Sequence, residues 1–247
     1  MNINNAIALV TGANRGIGHA FVLELLARGA AKVYVAARDT AALRELLQAG
    51  GPRLVPLPLD VTDADQVAAA ANVASDVTLL INNAGYATFD GAISAPGLDD
   101  ARREMDVNYF GPMALARAFA PVLAKNGGAI VNMLSMLALV TLPMAATYSA
   151  SKAAALALTR RLRAELAAQG TQVVGVLAVQ TETSMGAALP EPRMTPQEVV
   201  DDALDAVEAG ISDEVAAGTQ TRAIHAAFLA DPKDLQARMA TRLPQRT

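Results

Sequence analysis

Tyr148 and Lys152 stand four residues apart. On a helix that spacing sends both side chains off one face, one turn apart. An ammonium then lies near a phenol. A free phenol gives up its proton near pH ~10, too high for a base at neutral pH. A neighbouring cation favours the phenolate and lowers that value, so the pair predicts a tyrosine acid/base usable near working pH. Ser135 precedes Tyr148 by 13 residues and ends the apolar run AIVNMLS. That run reads as a buried strand delivering a hydroxyl at its C-terminal edge. Taken alone, Tyr-x-x-x-Lys also describes an ordinary surface helix pair.

A second stretch changes the balance. Residues 11–18 read TGANRGIG, after the strand-like AIALV and before the helix-like HAFVLELLARGA. Gly12, Gly16 and Gly18 punctuate a strand-to-helix turn. Glycine lets the backbone turn tightly and lets a dinucleotide pyrophosphate come close, with the helix N-terminus facing the anion. A phosphate-binding turn and a tyrosine acid/base in one chain point to hydride chemistry on a carbonyl.

Those elements must be positioned by a scaffold. Strands are predicted at Ile7–Val10, Lys32–Ala36, Leu54–Leu57, Val77–Ile81, Ala129–Leu134 and Gln172–Val179, with a short one near Glu214–Ala217. Helices are predicted at Gly16–Arg28, Thr40–Gln48, Ala64–Asn72, about Leu98 to Ala124 and Tyr148–Ala168, with more near the C-terminus. Thr195-Pro196-Gln197-Glu198 is a helix start: a Thr cap, Pro in the first turn and Glu three after the cap. Strand and helix alternate, and the strands are apolar runs without strict alternation. That is the pattern of an α/β fold: a Rossmann-type doubly wound parallel sheet of about seven strands with helices on both faces, one domain over 1–247.

Composition agrees. The 247 residues are 53% hydrophobic, enough for one large core. Net charge is −4 with no basic run, which disfavours a nucleic-acid partner. Cys is absent, which excludes disulfides, thiol nucleophiles and Cys-ligated metal; His19 and His225 lie far apart, and no metal-site spacing is present. The longest apolar stretch, around 129–148, is broken by Asn132, Ser135, Thr141 and Pro143, so no membrane span is expected. The N-terminus lacks the basic n-region of a signal peptide. A soluble, cytoplasmic protein is the expectation.

On TGANRGIG, NNAG (82–85), MDVNYF (105–110) and the Ser135, Tyr148, Lys152 set, the sequence resembles the single-domain branch of the short-chain dehydrogenase/reductase family, from about residue 5 to about residue 210. The resemblance implies roles. Tyr148 would exchange a proton with the substrate oxygen. Lys152 would lower its pKa and hold the nicotinamide ribose. Ser135 would hydrogen-bond the carbonyl, and Asn108 would hold a water relaying protons to Lys152. An Asn inside a helix can also simply bond nearby backbone. Gly12, Asn14, Arg15, Gly16, Ile17 and Gly18 would cradle the cofactor. Asp60 and Val61 would hold the adenine, Asn83, Ala84 and Gly85 would pass beside the adenosine, and Thr183 would contact the cofactor.

Strand two ends Ala36-Ala37-Arg38. NAD enzymes put an acid near that end to hold the ribose hydroxyls. Here Ala37 takes the matching position, and Arg38 and Arg15 suit a 2′-phosphate. The expected cofactor is therefore NADP(H), with Asp39 as the complication one residue on. The expected activity is reversible reduction of a ketone or aldehyde to an alcohol. An apolar wall of Tyr86, Met136, Leu137, Leu142, Met144 and Met185 favours an apolar or aryl carbonyl compound as partner.

The chain departs from the family after strand six, where Ala178-Val179 replaces the common Pro-Gly. That predicts an altered or looser nicotinamide turn. The C-terminus lacks the family's Val-Asp-Gly-Gly ending, which leaves homodimer and homotetramer both open. Two other readings stand beside the carbonyl reductase. One is a 3-oxoacyl-carrier-protein reductase, hinted at by Arg160-Arg161-Arg163. The other is a non-catalytic NADP(H)-binding sensor, hinted at by the changed turn.

Overall fold

The computed structural model describes residues 1–187 and 189–243; the last four positions of the one-domain reading, and Ala188, lie outside the described residues. The apolar runs become the strands β1 (Ile7–Thr11), β2 (Lys32–Ala37), β3 (Leu54–Pro58), β4 (Leu79–Asn82), β5 (Ala129–Met133), β6 (Gln172–Leu177) and β7 (Glu214–Ala216). Their order is β3-β2-β1-β4-β5-β6-β7, and every pairing is parallel. The connection from β3 crosses back to β4 beside β1. This is the strand-order reversal at whose carboxyl ends doubly wound sheets bind ligands.

Helices α1 (Gly16–Ala27), α2 (Arg44–Gly50) and α7 (Pro196–Glu208) cover one face. Helices α3 (Ala64–Val73), α5 (Gly111–Asn126) and α6 (Ala146–Glu165) cover the other. Alternate strand residues divide between them. Ala8 and Val10 meet Phe21, Val22 and Leu25, whereas Leu9 meets the layer of Leu115 and Phe119. Both faces are buried, so the strands need no polar side, which is why they read as unbroken apolar runs. Thr195 caps α7 with the reciprocal Glu198 bonds that its sequence predicts. After β7 come α8 (Thr219–Ala230) and α9 (Pro232–Ala240).

Several boundaries differ from the sequence pattern. Residues 40–48 split into a 3-10 turn, Thr40–Leu43, and then α2, because Asp39 caps a tighter first turn through Ala41. Strand six stops at Leu177 rather than Val179, and α6 starts two residues before Tyr148. The helix expected over 98–124 is the largest change. It consists of α4 (Asp99–Met105), a π segment Asp106–Phe110, and α5. Pro112 has no N–H to give the carbonyl of Asn108, four residues back, so the α register fails there. The Gly111 N–H instead donates to the carbonyl of Asp106, five residues back. Such π turns inside helices cluster at functional sites.

Candidate active site

The carboxyl ends of β1, β2, β4, β5 and β6 open into one cavity of about 640 Å³. At one end lie the glycine turn and the β2 terminus. At the other lie Ser135, Tyr148 and Lys152.

The first end fits a dinucleotide on its own geometry. Gly12 and Gly16 have φ of +64° and +55°, the left-handed region that disfavours a side chain. A Cβ on Gly18 would stand 2.2 Å from the Gly12 carbonyl oxygen, so this glycine lets α1 press against the turn. No side chain caps the first turn of α1. Thr11 braces the turn from below: its hydroxyl accepts from the Asn83 and Ala84 N–H groups and donates to the Ile81 carbonyl. The Asn83 amide in turn donates to the Thr11 carbonyl at 2.9 Å. Asn14, Arg15, Ile17, Arg38, Asp60, Val61 and Gly85 join Gly12, Gly16, Asn83 and Ala84 in the cavity wall. Thr183 also lines it, with its methyl against Gly16. Gly18 packs beneath the wall rather than in it.

Arg38 leaves the end of β2 toward Asp60. Burial works against the Asp60 carboxylate, but the Thr62 N–H and hydroxyl and the Arg38 charge outweigh it and hold its pKa below the usual range. Asp39 also reaches the cavity, yet its Oδ1 accepts from the Ala41 N–H at 2.9 Å. That acid is engaged in starting the next turn.

At the other end, Tyr148 sits in the first turn of α6. Ser135 follows β5 by two residues, and its hydroxyl accepts from the Leu137 N–H. Lys152 is 5% exposed, and its Nζ donates to the carbonyl of Met133 at 2.9 Å. The same Nζ lies 5.7 Å from the centre of the Tyr148 ring. Burial pushes the Lys152 ammonium down to about 8. Burial also pushes the Tyr148 phenol up; the Ser135 hydroxyl opposes this, and the charge of Glu104 adds to it.

The expectation that Lys152 draws the phenol down therefore does not hold among the chain's own groups. Desolvation acts on both partners, and the ammonium is turned to the β5 carbonyl. The phenol keeps its proton at neutral pH, the state of a proton donor.

Asn108 lies outside the cavity wall. Its amide donates to the Tyr86 carbonyl (2.7 Å) and the Ser151 hydroxyl (2.9 Å), and its Oδ1 accepts from the Tyr86 N–H (2.9 Å). Two of these three bonds go to backbone, as the structural alternative expects, though to the loop after β4. The side chain does not bond its own helix, and it braces the loop after β4 against α6. Ser151 passes the contact on by donating to the Tyr148 carbonyl.

The apolar wall includes all six predicted residues, Tyr86, Met136, Leu137, Leu142, Met144 and Met185. Sequence reading missed Phe89, Ile224 and Met239, which extend it, and the charged Arg242, which also lines the cavity. The last three come from α8, α9 and the residues just beyond, where no motif marks them. The turn at Ala178-Val179 is not loose. The Met136 N–H donates to the Ala178 carbonyl, and the Val179 N–H donates to the hydroxyl of Thr221 in α8.

Comparison with known proteins matches this geometry. The short chain dehydrogenase family model covers residues 6–193. A short chain dehydrogenase from Burkholderia cenocepacia J2315, solved in complex with NADP, is 45% identical, with a TM-score of 0.91 over 97% of this chain and 99% of that one. The NADPH bound carbonyl reductase from chicken fatty liver is 32% identical, with a TM-score of 0.74 over 82% and 90% of the two chains. The NADPH-dependent 1-acyldihydroxyacetone phosphate reductase of Schizosaccharomyces pombe is 37% identical over 202 residues, 74% of this chain. The chain spans 65% of the length of that relative. Among the described residues, no helix is long and apolar enough to cross a membrane. The chain belongs to the short-chain dehydrogenase/reductase family.

Proposed function

We propose that the protein reduces a ketone or aldehyde to an alcohol with NADPH, on an apolar or aryl substrate. The observation that carries this reading is Tyr148, with Ser135 and Lys152, at the apolar end of a cavity whose other end is a glycine turn flanked by Arg15 and Arg38. Gly12, Gly16 and the start of α1 would hold the pyrophosphate, Arg15 and Arg38 the 2′-phosphate, and Asp60 and Val61 the adenine. NADPH, when bound, supplies hydride to the carbonyl carbon. The substrate oxygen gains charge as its double bond breaks, and the Ser135 and Tyr148 hydroxyls donate hydrogen bonds to it. Tyr148 then gives up its proton to that oxygen, completing the alcohol. Lys152 is fixed by the Met133 carbonyl with its ammonium 5.7 Å from the centre of the Tyr148 ring, where it would hold the nicotinamide ribose. Oxidation of a secondary alcohol runs these steps backwards.

Support for NADP(H) comes from Ala37 where NAD enzymes carry an acid, from the Asp39 carboxylate being engaged at Ala41, and from the NADP-bound and NADPH-dependent relatives. The carrier-protein reading has less support. Arg160 and Arg163 both bond Glu214, and Arg161 bonds Glu165, so acidic side chains of this chain already engage the cluster. The sensor reading rested on the turn at 178–179, which two hydrogen bonds hold beside the site.

The test is NADPH and NADH consumption over a panel of aryl and alkyl ketones. Faster turnover with NADPH is expected. Equal use of NADH would overturn the Arg38 assignment, and binding of NADPH without turnover of any carbonyl compound would overturn the reductase.

A further inference from the structure

Charge is distributed unevenly along the cavity. Among the described residues, the acids in its wall are Asp39 and Asp60, both at the cofactor end. The substrate end is lined by cations, Lys152, Arg103 and Arg242. Lys152 is buried and turned to the Met133 carbonyl. Arg103 and Arg242 are exposed. Nearby arginines on the same elements pair with acids, Arg102 with Asp99 and Arg238 with Asp234, but among the described residues Arg103 and Arg242 do not. Both are nevertheless placed by the fold. The Arg103 guanidinium on α4 lies 4.3 Å from the centre of the Tyr86 ring. That ring is fixed, since its hydroxyl donates to Asp100 at 2.6 Å and the Tyr86 N–H donates to Asn108 at 2.9 Å. Asp100 itself stays outside the wall. Arg242 follows α9, which is clasped to the loop after β5. The Gln236 amide accepts from the Thr141 N–H (2.8 Å) and donates to the Thr141 carbonyl (3.1 Å), next to Leu142 of the apolar wall.

We infer that the substrate is a carbonyl compound with an apolar body and an anionic end, a carboxylate or a phosphate, which Arg103 and Arg242 receive. The inference rests on the reductase reading and deepens it. The apolar wall takes the body, and Ser135 and Tyr148 take the carbonyl oxygen. The guanidiniums take the anion, whose oxygens match their fork of N–H donors and whose charge strengthens each bond. Arg15 and Arg38 lie at the other end of the cavity, where the cofactor phosphates would occupy them. A neutral ketone fills the same wall but leaves both cations to water. Discrimination between the two is therefore a matter of charge rather than of fit.

The test compares NADPH-dependent reduction of 3-benzoylpropionate, its methyl ester and an aryl ketone phosphate ester, at low and at high salt. A higher kcat/KM is expected for the carboxylate or the phosphate than for the neutral ester, and added salt should shrink that preference. With Arg103→Gln and Arg242→Gln combined, the preference should fall by on the order of 10-fold, through KM, and each single change should remove part of it. Arg103→Lys and Arg242→Lys keep the charge and should keep most of the preference. A wild type that reduces the neutral ester as well as both anions overturns the inference, as does a preference that the double variant leaves unmoved. A rise in the KM for NADPH in place of the ketone's would put the arginines at the cofactor and also overturn it. If no ketone is reduced, calorimetric binding of 4-phenylbutyrate to the NADP⁺ complex separates the two readings. Salt-sensitive binding that the double variant loses keeps the anion site while the reductase reading fails. Absent binding, or equal binding by the double variant, overturns the anion site.

Discussion

Lys152 is costly to the fold that holds it. Its ammonium is held at about 8 rather than the 10.5 of a free lysine, so the unfolded chain binds this proton more tightly. The full cost is present below about pH 8, shrinks as pH rises toward 10.5, and is gone above it. Lys152→Met has no such titration. In denaturant unfolding, wild-type stability minus that of Lys152→Met should therefore grow between about pH 7 and about pH 10. A flat or falling difference would contradict the burial of a charge there. Tyr148, Lys152, Ser135 and the glycines were legible in the sequence because their chemistry needs fixed types at short spacing. Glu104 and Thr221 were not. Their partners, Thr88 and Val179, lie 16 and 42 residues away, and an acid in a helix or a threonine near a helix start carries no local mark. The direction of the Tyr148 shift was also invisible, because spacing reports which groups are near and not how dry they are.

At the scale of elements, the sequence marks strands and helices well and their interruptions poorly. Periodicity runs straight through 98–124, and the π segment arises from Pro112 denying one hydrogen bond. That break changes the register of the residues around Asn108, where the helix, the loop after β4 and α6 meet. The turn after β6 is similar. Its departure from Pro-Gly suggested slack, but a residue that is not proline offers an N–H, and α8 supplies Thr221 to accept it. Thr221 is fully buried. Thr221→Val keeps the shape and strands the Val179 N–H, so it should lose about 1–3 kcal/mol in denaturant unfolding. Thr221→Ser should recover most of that. Equal stability of Thr221→Val and wild type would show that α8 does not hold the turn.

For the whole molecule, the strand order explains why distant motifs meet. Residues 11–18, 82–85, 135–152 and 178–183 are scattered along the chain, yet each follows a parallel strand. Parallel strands deliver their successors to one edge. The class of fold was readable from that alternation alone. The family model ends at residue 193, and α8 and α9 then add Ile224 and Met239 to the cavity wall. These residues come from the elements with the fewest sequence signals, which is why this side of the wall was missed while the motif-bearing side was read. The central claim is that Tyr148 donates the proton. It is tested most directly by comparing NADPH oxidation by wild type and Tyr148→Phe on a ketone that the wild type reduces, with NADPH affinity measured on both. The account predicts a fall in kcat of about 10²-fold or more with affinity nearly unchanged. Turnover within a few-fold of wild type would contradict it.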